Sequence, residues 1–93
     1  MKLVWTGPAL LDRRAIYDYI ETDSPRAAAE LDQLFTQAAA RLLAYPHMGR
    51  EGRVPGTREW VAHPHYVMVY EIAADAVIVI AVLHTSRQYP PLG

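Results

Sequence analysis

The sequence has no cysteine. That excludes disulfide cross-links and thiolate metal sites, and it fits a cytoplasmic protein, the localisation expected here. The chain also lacks any excess of positive charge: nine Lys and Arg stand against ten Asp and Glu, for a net charge of −1. Proteins that grip nucleic acid nonspecifically draw much of their affinity from neutralising phosphates, so they carry a basic surface. This chain as a whole does not. Long hydrophobic runs are missing too. No stretch approaches the roughly 18 apolar residues of a transmembrane helix. The N-terminal MKLVWTGPALL is broken by Thr, Gly and Pro where a signal peptide would be continuous. No membrane association is expected. Repeats, low-complexity segments and linkers are likewise absent from the sequence.

What is present is an ordinary globular composition, 52% hydrophobic and 20% charged over 93 residues. That length predicts one domain, 1–93, with a modest core. Residues 2–5, KLVW, read as a short strand. Gly7-Pro8 breaks it, and Leu11, Ala15, Ile16, Tyr19 and Ile20 then recur at helical spacing with Asp12, Arg13 and Asp18 toward water. This predicts a helix over 8–22. Ser24-Pro25 is a helix start, and Ala27, Leu31, Leu34, Phe35, Ala38, Leu42 and Tyr45 continue an apolar stripe to Pro46. The two helices, 8–22 and 25–44, should form an antiparallel hairpin. Residues 46–57 read as a Gly/Pro-rich loop. Beyond it, 58–63, 66–72 and 76–84 are rich in Val, Ile, Tyr and Trp, and the breaks between them are short enough for hairpins. The order β-α-α-β-β-β makes an α+β fold with a three-strand antiparallel meander.

With a two-residue turn at Ala74-Asp75, one sheet face carries Val67, Val69, Ile78, Ile80 and Val82. The other carries Tyr66, Met68, Tyr70, Val77, Val79, Ala81 and Leu83. Both are apolar, whereas a strand with one wet face alternates apolar and polar residues. A single helical hairpin covers one face. The second, expected to hold Tyr66, Met68, Tyr70, Val77, Val79 and Leu83, is then either a partner site or covered by the 46–57 loop or the C-terminal tail.

The stretches YPHMGREGRVPGTREWVAHPHYVMVYEI (45–72) and VLHTSRQYP (82–90) resemble the RelE/ParE superfamily of type II toxin–antitoxin toxins. The resemblance runs over the whole chain and is sharpest at 45–50, 54–59, 63–66 and 83–90. It implies a small growth inhibitor wrapped by a cognate antitoxin in a hetero-oligomer, with no cofactor. The superfamily has two main branches. RelE-like members cleave mRNA in the ribosome; ParE-like members act on DNA gyrase.

RNA cleavage by a 2′-OH needs a base, an acid and cations at the developing charge. The resemblance places Arg58 and Arg87 at two positions where RelE-like toxins carry basic residues, with His84 or Tyr89 as the proton-transfer group. Trp60 and Val67 stand where that pattern has further basic residues. Each candidate also has a plain structural reading. Arg58 could pair with Glu71 across the strands, and Arg87 could meet a partner carboxylate. His84 could be a hydrogen-bonded strand end, and Tyr89 could pack on the domain edge. A facing pair of His65 and His84 is too few ligands for a metal site, and no metal is expected. Arg50, Arg53, Arg58 and Arg87 form a basic patch diluted by Glu51 and Glu59. The ParE-like branch is therefore the expectation. The mRNA endonuclease and an inactive antitoxin-binding module are the alternatives.

Overall fold

Two side-chain caps set the starts of the helices. The structure, a computed structural model, describes residues 1–91; residues 92 and 93 of the expected domain lie outside the described residues. Strand β1, Lys2–Trp5, leads into helix α1, Gly7–Glu21, and helix α2, Pro25–Ala44. The Thr6 hydroxyl accepts from the Ala9 N–H at 3.2 Å, and the Ser24 hydroxyl accepts from the Ala27 N–H at 3.1 Å. Each supplies a partner that a helix's first turn lacks, and a Pro follows in the first turn. The Thr6 cap starts α1 one residue before the expected position.

The inward face of α1 is rotated from the one expected. Ala9 is fully buried, while Leu11 and Tyr19 are 70% and 76% exposed. Asp12 and Arg13, expected in water, are half-buried instead. Both have work there. The Arg13 guanidinium donates to the Asp32 carboxylate at 2.9 Å, to the Asp32 carbonyl and to the Thr36 hydroxyl on α2, and it lies over the Trp5 ring at 4.5 Å. The Asp12 carboxylate accepts from the Val82 N–H at 2.9 Å. In α2 the buried stripe is Ala28, Leu31, Phe35, Ala38, Ala39 and Leu42; Ala27, Leu34 and Tyr45, expected in it, are exposed.

The remaining strands are β2 (Arg50–Glu51), β3 (Arg58–His63), β4 (Tyr66–Ile72) and β5 (Ala76–His84), in a sheet ordered β1-β5-β4-β3-β2. The expected meander is β3-β4-β5. To it are added β1, which runs parallel to β5, and the short β2 on the other edge. The 46–57 segment is more ordered than a loop. It holds a 3-10 turn at Pro46–Met48, then β2, then a tight turn in which Thr57 N–H donates to the Val54 carbonyl at 3.1 Å. Pro55 and Gly56, at φ 84°, are the central residues of that turn; its second central residue needs a positive φ.

A register break decides which face is which. Val69 pairs with Ala81, but Tyr70 pairs with Val79, so Ile80 is an extra residue in β5. Such a bulge inverts the side-chain alternation beyond it. Val82 therefore joins Tyr66, Met68, Tyr70, Val77 and Val79 under the helices, while Ala81 and Leu83 join Val67 and Val69 on the opposite face. This corrects the expected faces. Tyr66, Met68, Tyr70, Val77 and Val79, expected to await a partner, form the core beneath the hairpin, where Phe35 meets Tyr66 edge to face at 5.9 Å. Leu83 alone of those six lies on the second face. It is 3% exposed, and Tyr89 of the C-terminal segment packs on its cluster.

Candidate functional site

The Arg-rich segment is held from within. The Tyr70 hydroxyl donates to the Pro46 carbonyl at 2.6 Å and accepts from the Gly49 N–H at 2.9 Å. Burial pushes the Tyr70 phenol up from its usual value, against the lowering effect of the Gly49 N–H and the Arg58 charge. Arg58 does not meet Glu71. It pairs with Tyr70 across the strands, and its guanidinium donates to the Gly49 carbonyl at 2.7 Å and to the His47 carbonyl at 3.5 Å. Glu59 is 2% exposed. Its carboxylate accepts from the Arg53 backbone N–H at 2.8 Å, from Arg53 Nε at 3.1 Å and from Arg50 Nη2 at 3.3 Å. Burial alone would raise its pKa; the Arg53 and Arg50 donors together outweigh that and hold it below the usual carboxylate value. Glu59 thus offsets the charge of Arg50 and Arg53, as expected, and also anchors both side chains. Arg53 in turn lies 5.7 Å from the centre of the Tyr89 ring.

The other end of the sheet carries a group of aromatic rings. His65 and His84 stack at 5.7 Å and 10°, with Tyr66 edge-on to His84 at 5.4 Å and His63 at 5.6 Å from His65. Tyr66, not His65, is the residue opposite His84 in the ladder. The tautomers follow from the backbone. His63 Nδ1 accepts from the His65 N–H at 3.0 Å, and His84 Nδ1 accepts from the Ser86 N–H at 3.1 Å. An amide N–H only donates, so in both neutral rings the proton sits on Nε2. A metal-bound imidazole does the reverse, ligating through one nitrogen while the other N–H donates to the second shell. These rings are built as hydrogen-bond donors. Among the described residues no three His, Asp or Glu side chains come together as a metal site.

Beside this end, α1 and β5 enclose a groove of about 440 Å³, with Ile16, Tyr19, Tyr66 and Val82 as apolar walls and Asp12, His84, Ser86 and Arg87 at its polar parts. The nuclease candidates do not converge on it. His84 and Arg87 line the groove, but Tyr89 lies on the opposite face with Val67 and Leu83. Arg58 sits opposite Tyr70, four β4 residues from the Tyr66–His84 pair, or about 13 Å along the strand. The basic patch is also not one cluster: Arg50 and Arg53 gather on Glu59 and Arg58 on the Gly49 carbonyl, whereas Arg87 lines the groove.

Three residues have structural duties that their sequence positions do not announce. Helical spacing alone places Asp12 and Arg13 toward water, and Glu59 stands out in the sequence only as an acid diluting the basic patch. The burial of Glu59 follows from its place opposite Val69 on the face that the Arg50 and Arg53 side chains cap, which the local sequence does not encode.

The chain matches the family model described as "ParE toxin of type II toxin-antitoxin system, parDE" over residues 3–89. Among curated proteins it is 39% identical over 90 residues to "Putative toxin Y4kP" of Sinorhizobium fredii, spanning 96% of this chain and 93% of that one. It is 38% identical over 86 residues to "Toxin RelE2" of Caulobacter vibrioides, spanning 92% and 97%. Among solved structures it is similar to the chromosomal ParDE toxin–antitoxin system from P. aeruginosa, with a TM-score of 0.80 and 25% identity over 90% of this chain and 95% of that one. A YoeB/ParE toxin from Agrobacterium tumefaciens shares the fold at a TM-score of 0.65 and 18% identity, over 90% and 98%.

Proposed function

The chain belongs to the ParE toxin family of type II toxin–antitoxin systems, and from that premise we propose that it arrests growth by binding DNA gyrase. A cognate antitoxin neutralises it by forming a hetero-oligomer. The observation that carries the choice of target is the dispersal of the nuclease candidates. General acid–base cleavage needs base, acid and cations within hydrogen-bond reach of one scissile group. Here Arg58 spends donors on the carbonyls of Gly49 and His47 at one end of the sheet, while His84 and Arg87 stand at the other and Tyr89 is on the far face. Trp60 and Val67 bring no charge. What remains is a binding protein with a rigid Arg-bearing loop. One observation favours the endonuclease reading: His84, Ser86 and Arg87 lie together, with a donor-tautomer imidazole among them.

Induction in a bacterial host separates the two. The gyrase reading expects DNA-damage signalling, filamentation and inhibition of supercoiling by the purified protein, with protein synthesis continuing at first. Immediate translation arrest with cuts at ribosomal A-site codons would replace it by the nuclease. Growth unaffected at verified expression would leave an inactive antitoxin-binding module.

A further inference from the structure

We infer that the groove between α1 and the end of β5 is a recognition site for a peptide segment that presents a large apolar side chain beside a carboxylate; resting on the toxin reading above, that segment belongs to the antitoxin.

The floor and the rim point to different halves of such a ligand. The walls are Ile16, Tyr19, Tyr66 and Val82. Tyr19 is 76% exposed beside this groove, which is where a large ring on a helix is left when its packing partner comes from outside. At about 440 Å³ the space suits one large side chain and its neighbours.

The polar groups there are donors in search of an acceptor. The His84 Nδ1 is occupied by the Ser86 N–H at 3.1 Å and lies 2.7 Å from the Ser86 hydroxyl, so its free Nε2 bears the proton. Arg87 has no ion-pair partner among the described residues. The single acid, Asp12, already accepts from the Val82 N–H at 2.9 Å, at the stretch of β5 beyond the end of its pairing with β1 at Trp5–Val79. Its negative charge is therefore partly engaged, and the rim offers a guanidinium and an imidazole N–H. A carboxylate fits that pair through charge-assisted hydrogen bonds. A purely apolar occupant would leave both donors without a partner, and a basic one would meet Arg87.

The test uses the full chain, ¹⁵N-labelled, titrated with N-acetyl-Leu-Glu-amide, N-acetyl-Leu-Gln-amide and N-acetyl-Gly-Glu-amide. The site expects saturable shifts at Ile16, Val82, His84 and Arg87 with the first peptide. The second and third should each bind about tenfold more weakly or not at all, since each lacks one half of the recognition. Arg87→Gln, at an exposed position, should fold normally and erase the preference for Glu over Gln. Tyr19→Ala should weaken all binding while keeping the preference. Equal binding of the Glu and Gln peptides, shifts centred elsewhere, or no shift at millimolar peptide would overturn the proposal. A separate arm co-expresses the protein with the antitoxin encoded beside it. If induction alone arrests growth but Arg87→Gln and Tyr19→Ala are neutralised as fully as the wild type, the groove assignment fails and the toxin reading stands. If induction has no effect, the toxin reading fails and the titration still judges the groove.

Discussion

Glu59 shows how much one side chain can organise. Its carboxylate holds two guanidinium groups and a backbone N–H, so the Arg50 and Arg53 positions depend on it. Glu59→Gln should cost about 1–3 kcal/mol, the range for leaving a charged buried network one partner short. The exposure of both arginines keeps it from the upper end. The pH dependence has a definite sign. A carboxyl whose folded pKa is depressed stabilises the fold above its unfolded value, near 4.5, and loses that contribution as pH falls through the folded one. The gap between wild type and Glu59→Gln in urea melts should be constant near neutrality and close below about pH 4.5. A gap that persists unchanged to pH 2 would refute the ionised-clamp account. Gly49 is the neighbouring constraint. A Cβ there would stand 2.5 Å from the Tyr70 hydroxyl and 2.9 Å from the Glu59 carbonyl. Gly49→Ala should therefore destabilise by about 2 kcal/mol or more through displaced packing and the strained Tyr70 bonds, whereas Gly7→Ala, with nothing within 4 Å of its Cβ, should fold as the wild type. Comparable melting temperatures for the two would count against the Tyr70 anchor. These side-chain roles were the least legible part of the sequence. Arg58, Arg87, His84 and Tyr89 could be singled out by type and position, but nothing local says that Arg58 will bond to carbonyls eleven and nine residues away.

At the scale of elements, the readable signals were those a few residues carry by themselves. Ser24-Pro25 fixed the start of α2, and the switch from helical to alternating apolar spacing after residue 57 placed β3, β4 and β5 at their observed bounds. What needed tertiary information went astray. The parallel pairing of β1 with β5 joins residues about 74 positions apart, which no local pattern encodes. The bulge at Ile80 sits in an unbroken run of Val, Ile and Ala, where one residue looks like the next, and it reverses the faces of the last part of β5. In α1 the rotation of the buried face follows from Arg13 and Asp12 reaching across to α2 and β5. The reassigned faces carry a prediction. Met68 is fully buried beneath the hairpin, so Met68→Glu should prevent folding by burying an unpaired charge, rather than merely weakening a partner interface. Circular dichroism and a cooperative melt decide it. A folded Met68→Glu protein would return that face to the surface.

At the scale of the whole molecule, the two apolar sheet faces have very different covers. One lies under two helices. The centre of the other, Val67, Val69, Ala81 and Leu83, is at most 7% exposed, with Tyr89 of the short C-terminal segment packed on it, while Val61, paired with Val67 toward the edge, is 47% exposed. Tyr89 connects that segment to the Arg loop, since Arg53 bridges from the Glu59 carboxylate to the face of the Tyr89 ring. Loop, clamp and tail thus form one cover, and its weakest link is a half-buried ring. Tyr89→Ala should cost about 1–2 kcal/mol, combining lost apolar burial with a cation–π contact worth about 0.5–1 kcal/mol. More telling than the stability change is where it appears. The second face should gain access to solvent while the helix-covered core does not. Hydrogen exchange should rise in the 85–91 segment and in the 52–57 turn, and a hydrophobic dye should bind the variant more strongly than the wild type, with the melt still cooperative. Exchange that rises evenly through α1, α2 and the sheet would mean that Tyr89 supports the fold globally, and the cover would not be a separable part.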